Sequence, residues 1–428
     1  MESVKHEFYQ PKIGMDVEFF IKNKDGEVVE SSSLIRGTNI EINSGKITKD
    51  GVQGEINPSA DRCRLVLGRN VSKCIMTLQE HLKNRSFDID TTSSIEIPVK
   101  NFEKMSDDSK KFGCSPDFNA YKECEQNVRV SGDSTRQRTA GGHIHIGLDT
   151  INVQGVDYDE ECLQCEETCK FNRSGSIELK DEILRFKDFA ITKIIRENYS
   201  DMDDDSQKII KKLAKIKNDN HIVFNLGKAT KTCIHPEIAI PLIDLIAGIP
   251  SVLIDRSGNN KKRRKIYGKA GDFRYQPHGI EYRTLSNFWI KSYTMMHLMT
   301  GLVRTGFLLA SSDINNGTAF TKMFFSKVSK KDVAKAINED NYVMARDIFL
   351  AIEDLLVAVG NVASNNHPIN SSTIHGFKDF VLKGEDVLGT NIWANWAEDS
   401  DKWVPWESYA NSFNGVKSAV TKSFRESV

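Results

Sequence analysis

Thr139-Ala140-Gly141-Gly142-His143-Ile144-His145-Ile146-Gly147 alternates in the manner of a strand. His143 and His145 fall on one face, Ile144 and Ile146 on the other. Strand rise puts the two imidazoles about 7 Å apart. The isoleucines suit a core. The glycines ahead of them let a second backbone or a ligand come close. A His-x-His pair on a strand presents two neutral imidazoles to a metal, although two partly exposed histidines would show the same pattern.

Other stretches repeat the alternation with carboxylates. In Ile13-Gly14-Met15-Asp16-Val17-Glu18-Phe19-Phe20-Ile21, Asp16 and Glu18 share a face opposite Met15, Val17 and Phe19. Acidic residues are poor strand formers, so two on one buried-looking strand call for a cationic partner. Lys24-Asp25-Gly26-Glu27 is a turn, and Val28-Val29 begins a return strand. Asp50-Gly51-Val52-Gln53-Gly54-Glu55-Ile56-Asn57-Pro58 is a turn and a strand carrying Glu55. Gly279-Ile280-Glu281-Tyr282-Arg283-Thr284-Leu285 sets Glu281 and Arg283 against Ile280 and Tyr282.

The chain has 428 residues, enough for one large domain or two to three average ones. Apolar residues make up 39% and charged residues 27%, the balance of a globular protein. Net charge is −1, which gives no sign of a dedicated nucleic-acid or membrane binder. No apolar run stands out as a membrane span. The N-terminal residues lack a signal-peptide core, and eight scattered cysteines fit reduced thiols, so a cytoplasmic protein is expected.

Periodicity predicts helices over 62–84, 178–198, from Ser206 through Ile216, from Pro236, over 295–309 and through most of 330–385. Ser94 to Val99 reads as a strand, and Phe112 to Tyr121 as a loop that could border a pocket. Cys162, Cys165 and Cys169 have no second ligand pair at zinc spacing and read as structural or incidental. Trp393, Trp396, Trp403 and Trp406 read as docking anchors of a tail over 386–428. With no repeat and no low-complexity linker, residues 1–385 are expected to form one domain, with a helical or inserted segment near 155–220.

Strands dispersed at 13–21, 52–57, 142–147 and 279–285 fit one sheet of an α+β fold. Polar residues on one side and apolar on the other suggest a curved, mostly antiparallel sheet with a wet concave face and helices behind it. That face would hold Asp16, Glu18, Glu55, His143, His145, Glu281 and Arg283. Carboxylates with imidazole make a hard donor set suited to Mg²⁺ or Mn²⁺. The basic loop Asn259 to Lys265, with Arg264, reads as solvated or as facing phosphate. Gly268 and Gly271 would leave amides open to an anion, beside Lys269 and Arg274. Together these are parts for handling a nucleoside triphosphate on a sheet, with no Walker-type loop and no kinase motif set.

Five motifs in order then resemble the phage-encoded carboxylate–amine ligases (COOH–NH₂ ligase type 2), within the glutamine synthetase and glutamate–cysteine ligase superfamily. They are Gly14-x-Asp16-x-Glu18-Phe19; Gly54-Glu55-Ile56-Asn57-Pro58; the Gly-Cys-x-Pro-Asp-Phe-Asn loop at 113–119; Ala140 to Gly147; and Gly268-Lys269-Ala270-Gly271-x-Phe273-Arg274 through Arg283. Val17 stands where Pro is expected in relatives. The resemblance implies a glutamine synthetase-like fold and an ATP- and Mg²⁺-dependent ligase that makes an amide through an acyl phosphate. It implies a metal set of Asp16, Glu18, Glu55, His143, His145 and Glu281. Arg283, Glu281 and Arg274 would be catalytic. Lys269, Gly268, Gly271, Arg264 and Arg274 would hold ATP. The partners would be a small-molecule or peptide carboxylate and an amine, and a homo-oligomer is compatible with a sheet-borne site. Two other classes fit parts of the pattern: a metal-dependent hydrolase or oxygenase built on His-x-His, and a non-catalytic phage structural protein on a ligase fold.

Overall fold

A computed structural model describes residues 11–61, 64–110, 118–122, 125–126, 135–147, 183–186, 214–216, 222–225, 236–276, 278–316, 319–361, 377–388 and 391–400. Sixteen strands are described: β1 Lys12–Lys22, β2 Val28–Val29, β3 Asn39–Ile42, β4 Gly45–Asp50, β5 Gln53–Pro58, β6 Asp88–Asp90, β7 Ser94–Glu96, β8 Phe118–Asn119, β9 Glu125–Gln126, β10 Gln137–Thr139, β11 Gly142–Gly147, β12 Ile183–Phe186, β13 Ala214–Ile216, β14 Ile222–Asn225, β15 Asp272–Gln276 and β16 Gly279–Tyr282. Eleven form one sheet with the path β3-β4-β5-β1-β11-β16-β15-β8-β9, and β2 and β6 pair with the far end of β1. Every pairing among the described strands is antiparallel. The fold is therefore α+β with an antiparallel sheet.

Period-two alternation decides which side of the sheet each residue takes. Met15, Val17, Phe19, Ile47, Ile56, Ile144, Ile146, Ile280, Tyr282 and Phe273 enter one apolar core. The helices Arg64–Arg85 and Tyr293–Asn316 contribute Leu67, Val71, Ile75, Leu78, Met296, Met299 and Val303 to the same core. Two strand glycines allow close approach. A Cβ at Gly54 would lie 2.5 Å from the Phe19 ring. A Cβ at Gly142 would meet Trp289 and the Ser286 carbonyl at about 2.5 Å, so backbone and ring occupy the space. In the tail, Trp396 donates its indole N–H to the Ile290 carbonyl (2.6 Å) and packs edge-on against Tyr293.

Four expectations are corrected or fall outside the description. Pro236–Ile254 is long and apolar enough to cross a membrane, with mean hydropathy 1.9, contrary to the sequence reading; 89% of that window is buried inside the protein, as a core helix would be. The helices expected over 178–198 and up to Ile216 instead contain β12 and β13, which pair through β14 in a small separate sheet. Apolar runs of this length suit either structure by periodicity, and here cross-strand pairing prevails. Ser94 to Val99 is a strand only through Glu96, because Val99 starts a short helix. Gly113 to Asp117, the Cys162/Cys165/Cys169 cluster, Asp201 to Ser206, His235, Trp403 and Trp406 lie outside the described residues.

The turn into β16 is the tightest backbone approach in the sheet. Gly279 has φ +153°, and a Cβ there would sit 1.9 Å from the Ile146 carbonyl oxygen. Gly279→Ala must therefore displace β16 from β11, the pairing that sets Glu281 opposite His145. The expected cost is about 3 kcal/mol, read as a lowered urea midpoint.

Candidate functional site

The register of five central strands assembles the site. Asp16 of β1 faces His143 of β11, and His145 of β11 faces Glu281 of β16. Glu18 of β1 faces Glu55 of β5, and Glu281 faces Arg274 of β15. Side chains on one face of paired strands meet across the ladder, so these register partners share one polar surface.

They separate into two clusters. In the first, His143 Nδ1 lies 3.3 Å from both Asp16 Oδ1 and Glu281 Oε1. His145 Nε2 lies 3.1 Å from Asp16 Oδ2, and its Nδ1 lies 3.0 Å from Nε2 of His278. Arg283 is buried, donates to Glu281 and stands 3.5 Å from His143 Nδ1, with its guanidinium over the Tyr267 ring. Arg274 reaches Glu281 at 3.8 Å, and Gln276 donates to the other Glu281 oxygen. Burial would raise the Glu281 carboxyl, but Arg283 holds it down at about 2. Burial would raise Asp16 too, and His145 and His143 hold it well below the usual carboxylate range. Burial and Arg283 lower His143; burial would lower His145 too, but Asp16 and Glu281 together raise it. His143 is thus neutral beside two anions. Three of the four ring nitrogens of the His-x-His pair face Asp16, Glu281 or His278, and His145 joins Asp16 and Glu281 in a group of donors close enough to share a metal ion.

The second cluster is Glu18, Asp50 and Glu55. Glu18 Oε2 accepts from the Gly141 amide (2.7 Å) and from the Tyr267 hydroxyl (2.6 Å). The Gly141 position supplies this amide at close range: a Cβ there would lie 2.9 Å from the same hydroxyl. Glu55 accepts from Asn57 and from Thr48. Burial, with Asp50 adding to it, pushes Glu18 up to about 8. Burial and Asp16 push Glu55 well above the usual range, and burial raises Asp50. Three carboxyls forced together hold protons that a cation would replace. Asp50 was not among the sequence candidates. It sits at the end of β4 in an Asp-Gly turn, and a turn explains an Asp without any ligand. His278, on the β15–β16 turn, was not among the sequence candidates either.

The basic residues divide differently from the sequence expectation. Lys269 has an exposed side chain, and its amide donates to Asp272. The Ala270 amide donates to Asn338 and the Gly271 amide to Asp244. Three amides of the glycine turn are therefore engaged by this chain's own oxygens. Gly268 packs against the guanidinium of Arg263, which donates to the carbonyls of Arg283, Thr284 and Leu285. Arg264 is buried and paired with Asp340 at 3.0 Å. Gly268, Gly271 and the Lys269 backbone thus build the turn, Arg264 is held by Asp340, and Arg274 and Arg283 stand at the acidic cluster.

Asp244 anchors this turn. It lies in a π-helical segment, Asp244–Gly248, inside the long buried helix. It accepts from the Tyr282 hydroxyl (2.6 Å), Thr284 (2.9 Å) and the Gly271 amide (2.7 Å), although burial pushes its carboxyl up to about 7. Asp244→Asn leaves buried donors without an acceptor. We expect a loss of about 2 kcal/mol in urea unfolding, with the Gly271 turn loosened.

The donor set fits a hard divalent cation. Ligand atoms within Asp16/His145/Glu281, and within Glu18/Asp50/Glu55, lie within 4.8 Å of one another. Asp16 Oδ1 is buried with only the His143 ring nitrogen beside it, at 3.3 Å and without hydrogen-bond alignment, so a lone pair remains for a cation. Carboxylate oxygens and an imidazole without thiolate suit Mg²⁺ or Mn²⁺.

Residues 234–359 match the family described as phage phiEco32-like COOH.NH2 ligase-type 2. This is the family that the sequence motifs resemble, and the match covers less than half of the chain. It takes in Asp244, Arg274, Glu281 and Arg283, and leaves out the strands carrying Asp16, Glu18, Asp50, Glu55, His143 and His145. No curated protein matches the chain.

Proposed function

We propose that this chain is an ATP-dependent carboxylate–amine ligase of the glutamine synthetase type, working through an acyl phosphate on the polar face of the sheet. The observation that carries the reading is the convergence of two acidic clusters and two arginines across six paired strands, two of which, β15 and β16, lie within the family match. Asp16, His145 and Glu281 would hold one divalent cation, and Glu18, Asp50 and Glu55 a second. Such cations supply charge neutralisation for the phosphates of ATP.

This chain's residues do the positioning. A substrate carboxylate oxygen attacks the γ-phosphorus, the bond to ADP breaks, and an acyl phosphate remains. An amine nitrogen then attacks the acyl carbon; phosphate leaves, the nitrogen gives up a proton, and an amide results. Arg283, fixed against Tyr267 and Glu281, keeps a positive charge beside the transferring group, and Arg274 adds a second from the rim. His143, enclosed by Asp16 and Glu281, orients both carboxylates.

The test is a screen of acids and amines for stimulated ADP formation with Mg²⁺, followed by the mass of the product. The reading requires a product heavier than the acid by the amine less one water. ADP release that never depends on any amine, across amino acids, peptides and polyamines, counts against it.

A further inference from the structure

The backbone amides of the Lys269–Gly271 turn are taken by this chain's own oxygens, and a second basic wall stands over the acids. A cleft of about 450 Å³ opens on the polar face, bordered by Asp16 and Glu55, by Lys12, Lys46 and His278, and by Gly14 and Gly147. Its volume is that of a small-molecule site. Asp16 belongs to one acidic cluster and Glu55 to the other, so the cleft spans both.

The strand pattern explains why the cleft exists. Along the polar face of β1 the order is Lys12, Gly14, Asp16, Glu18. Lys12 pairs in register with Gly147, and Gly14 with His145. Two glycines therefore occupy floor positions where any other residue would stand up into the cleft. A Cβ at Gly14 would lie 3.1 Å from that of Ala60, and one at Gly147 would lie 3.2 Å from that of Lys12. Lys46, exposed on β4 in register with Asn57, closes the far side, and His278 the near side. The floor is open and acidic at its deep end, and the walls are basic.

We infer that this cleft seats the oxyanion group of a substrate, with Lys12, Lys46 and His278 binding its outer oxygens while its inner oxygens face the two acidic clusters. The inference builds on the ligase reading and moves the anion-binding role from the Gly268–Gly271 turn to β1, β4 and the β15–β16 turn. An anion without cations would be repelled by the ionised Asp16, so binding depends on a divalent ion. The same chemistry has two sources in this reaction: the phosphate chain of the nucleotide and the carboxylate of the acid.

The experiment measures binding directly, without turnover. Inorganic tripolyphosphate and AMPPNP report the phosphate source, and glutarate the carboxylate source, each titrated calorimetrically with and without Mg²⁺. Two variants are compared with the wild type: Lys46→Glu, which reverses an exposed wall charge, and Ala60→Phe, which fills the cleft from an exposed position and changes no charge. Both are expected to weaken at least one class of anion by about tenfold or more, the worth of a hydrogen bond to a charged group. Weaker tripolyphosphate and AMPPNP assign the seat to the nucleotide; weaker glutarate assigns it to the acid. Unchanged affinity for all three probes in both variants, with the wild type binding them, overturns the inference, as does wild-type binding indifferent to Mg²⁺. The ligase reading fails separately, if anions bind as described yet no amine gives an amide product.

Discussion

Glu281→Gln is expected to lower amide formation by about 10³-fold while leaving a folded protein. Glu281 is where the first cluster closes. His143 Nδ1 is 3.3 Å away, Arg274 3.8 Å, and Arg283 and Gln276 both donate to it. Arg283 keeps it ionised at about 2 despite burial, so it is a full negative charge at any working pH. Glutamine preserves the shape and removes that charge. A cation at Asp16 and His145 then loses its third donor, and Arg283 stays buried without its counter-ion. Breaking one partner of a buried pair costs about 3 kcal/mol, so a lower melting temperature should accompany the rate loss. Arg283→Lys separates the two effects. It keeps the charge and much of the stability but loses the planar contact over Tyr267, so activity should fall further than stability. Near-normal amide synthesis by a folded Glu281→Gln protein would remove the cluster from the chemistry.

Much of this geometry was legible in the sequence because a strand gives each residue only two sides. Asp16 and Glu18 opposite Met15 and Val17, and His143 and His145 opposite the isoleucines, fix which side is polar before any pairing is known. Pairing itself is not written locally. The meeting of Glu18 with Glu55, and of His145 with Glu281, comes from contacts over long stretches of chain. The glycine turn shows what local reading cannot see. Gly268 to Gly271 resemble an anion nest, but Asp244 and Asn338 arrive from distant helices to take the amides. Asp50 was obscured by turn chemistry that already accounts for such a residue. At β12 the apolar spacing fits a helical period, and pairing with β14, distant in sequence, decides for a strand. In Pro236–Ile254, apolar residues all round signal burial, and length alone could not say whether in a core or a bilayer.

Divalent-cation affinity is expected to rise steeply between pH 6 and pH 8, by about tenfold per unit where one proton leaves for each ion bound. Glu18 is pushed up to about 8, first by burial and then by Asp50; Glu55 and Asp50 are raised as well. Below that range the cluster holds protons, and a cation must displace them. Above it the carboxylates are already ionised, and the slope flattens. The sign for stability follows from the same shift. A carboxyl whose folded value lies above its unfolded one favours the fold most at low pH, and that contribution is lost as pH climbs through about 8. Without cations the melting temperature should therefore fall from pH 6 to 8, from a loss on the order of a few kcal/mol. Saturating Mg²⁺ should cancel the trend, because the ion binds the folded carboxylates that pH has freed. Glu18→Gln removes one of the three carboxyls and its proton, so cation affinity should be weaker and its rise over the same range shallower. Calorimetric titration of Mg²⁺ in two buffers of different ionisation enthalpy counts the protons released. A count of zero at pH 7, or an affinity that falls as pH rises, would mean that Glu18, Asp50 and Glu55 hold no cation and that their crowding serves the fold alone.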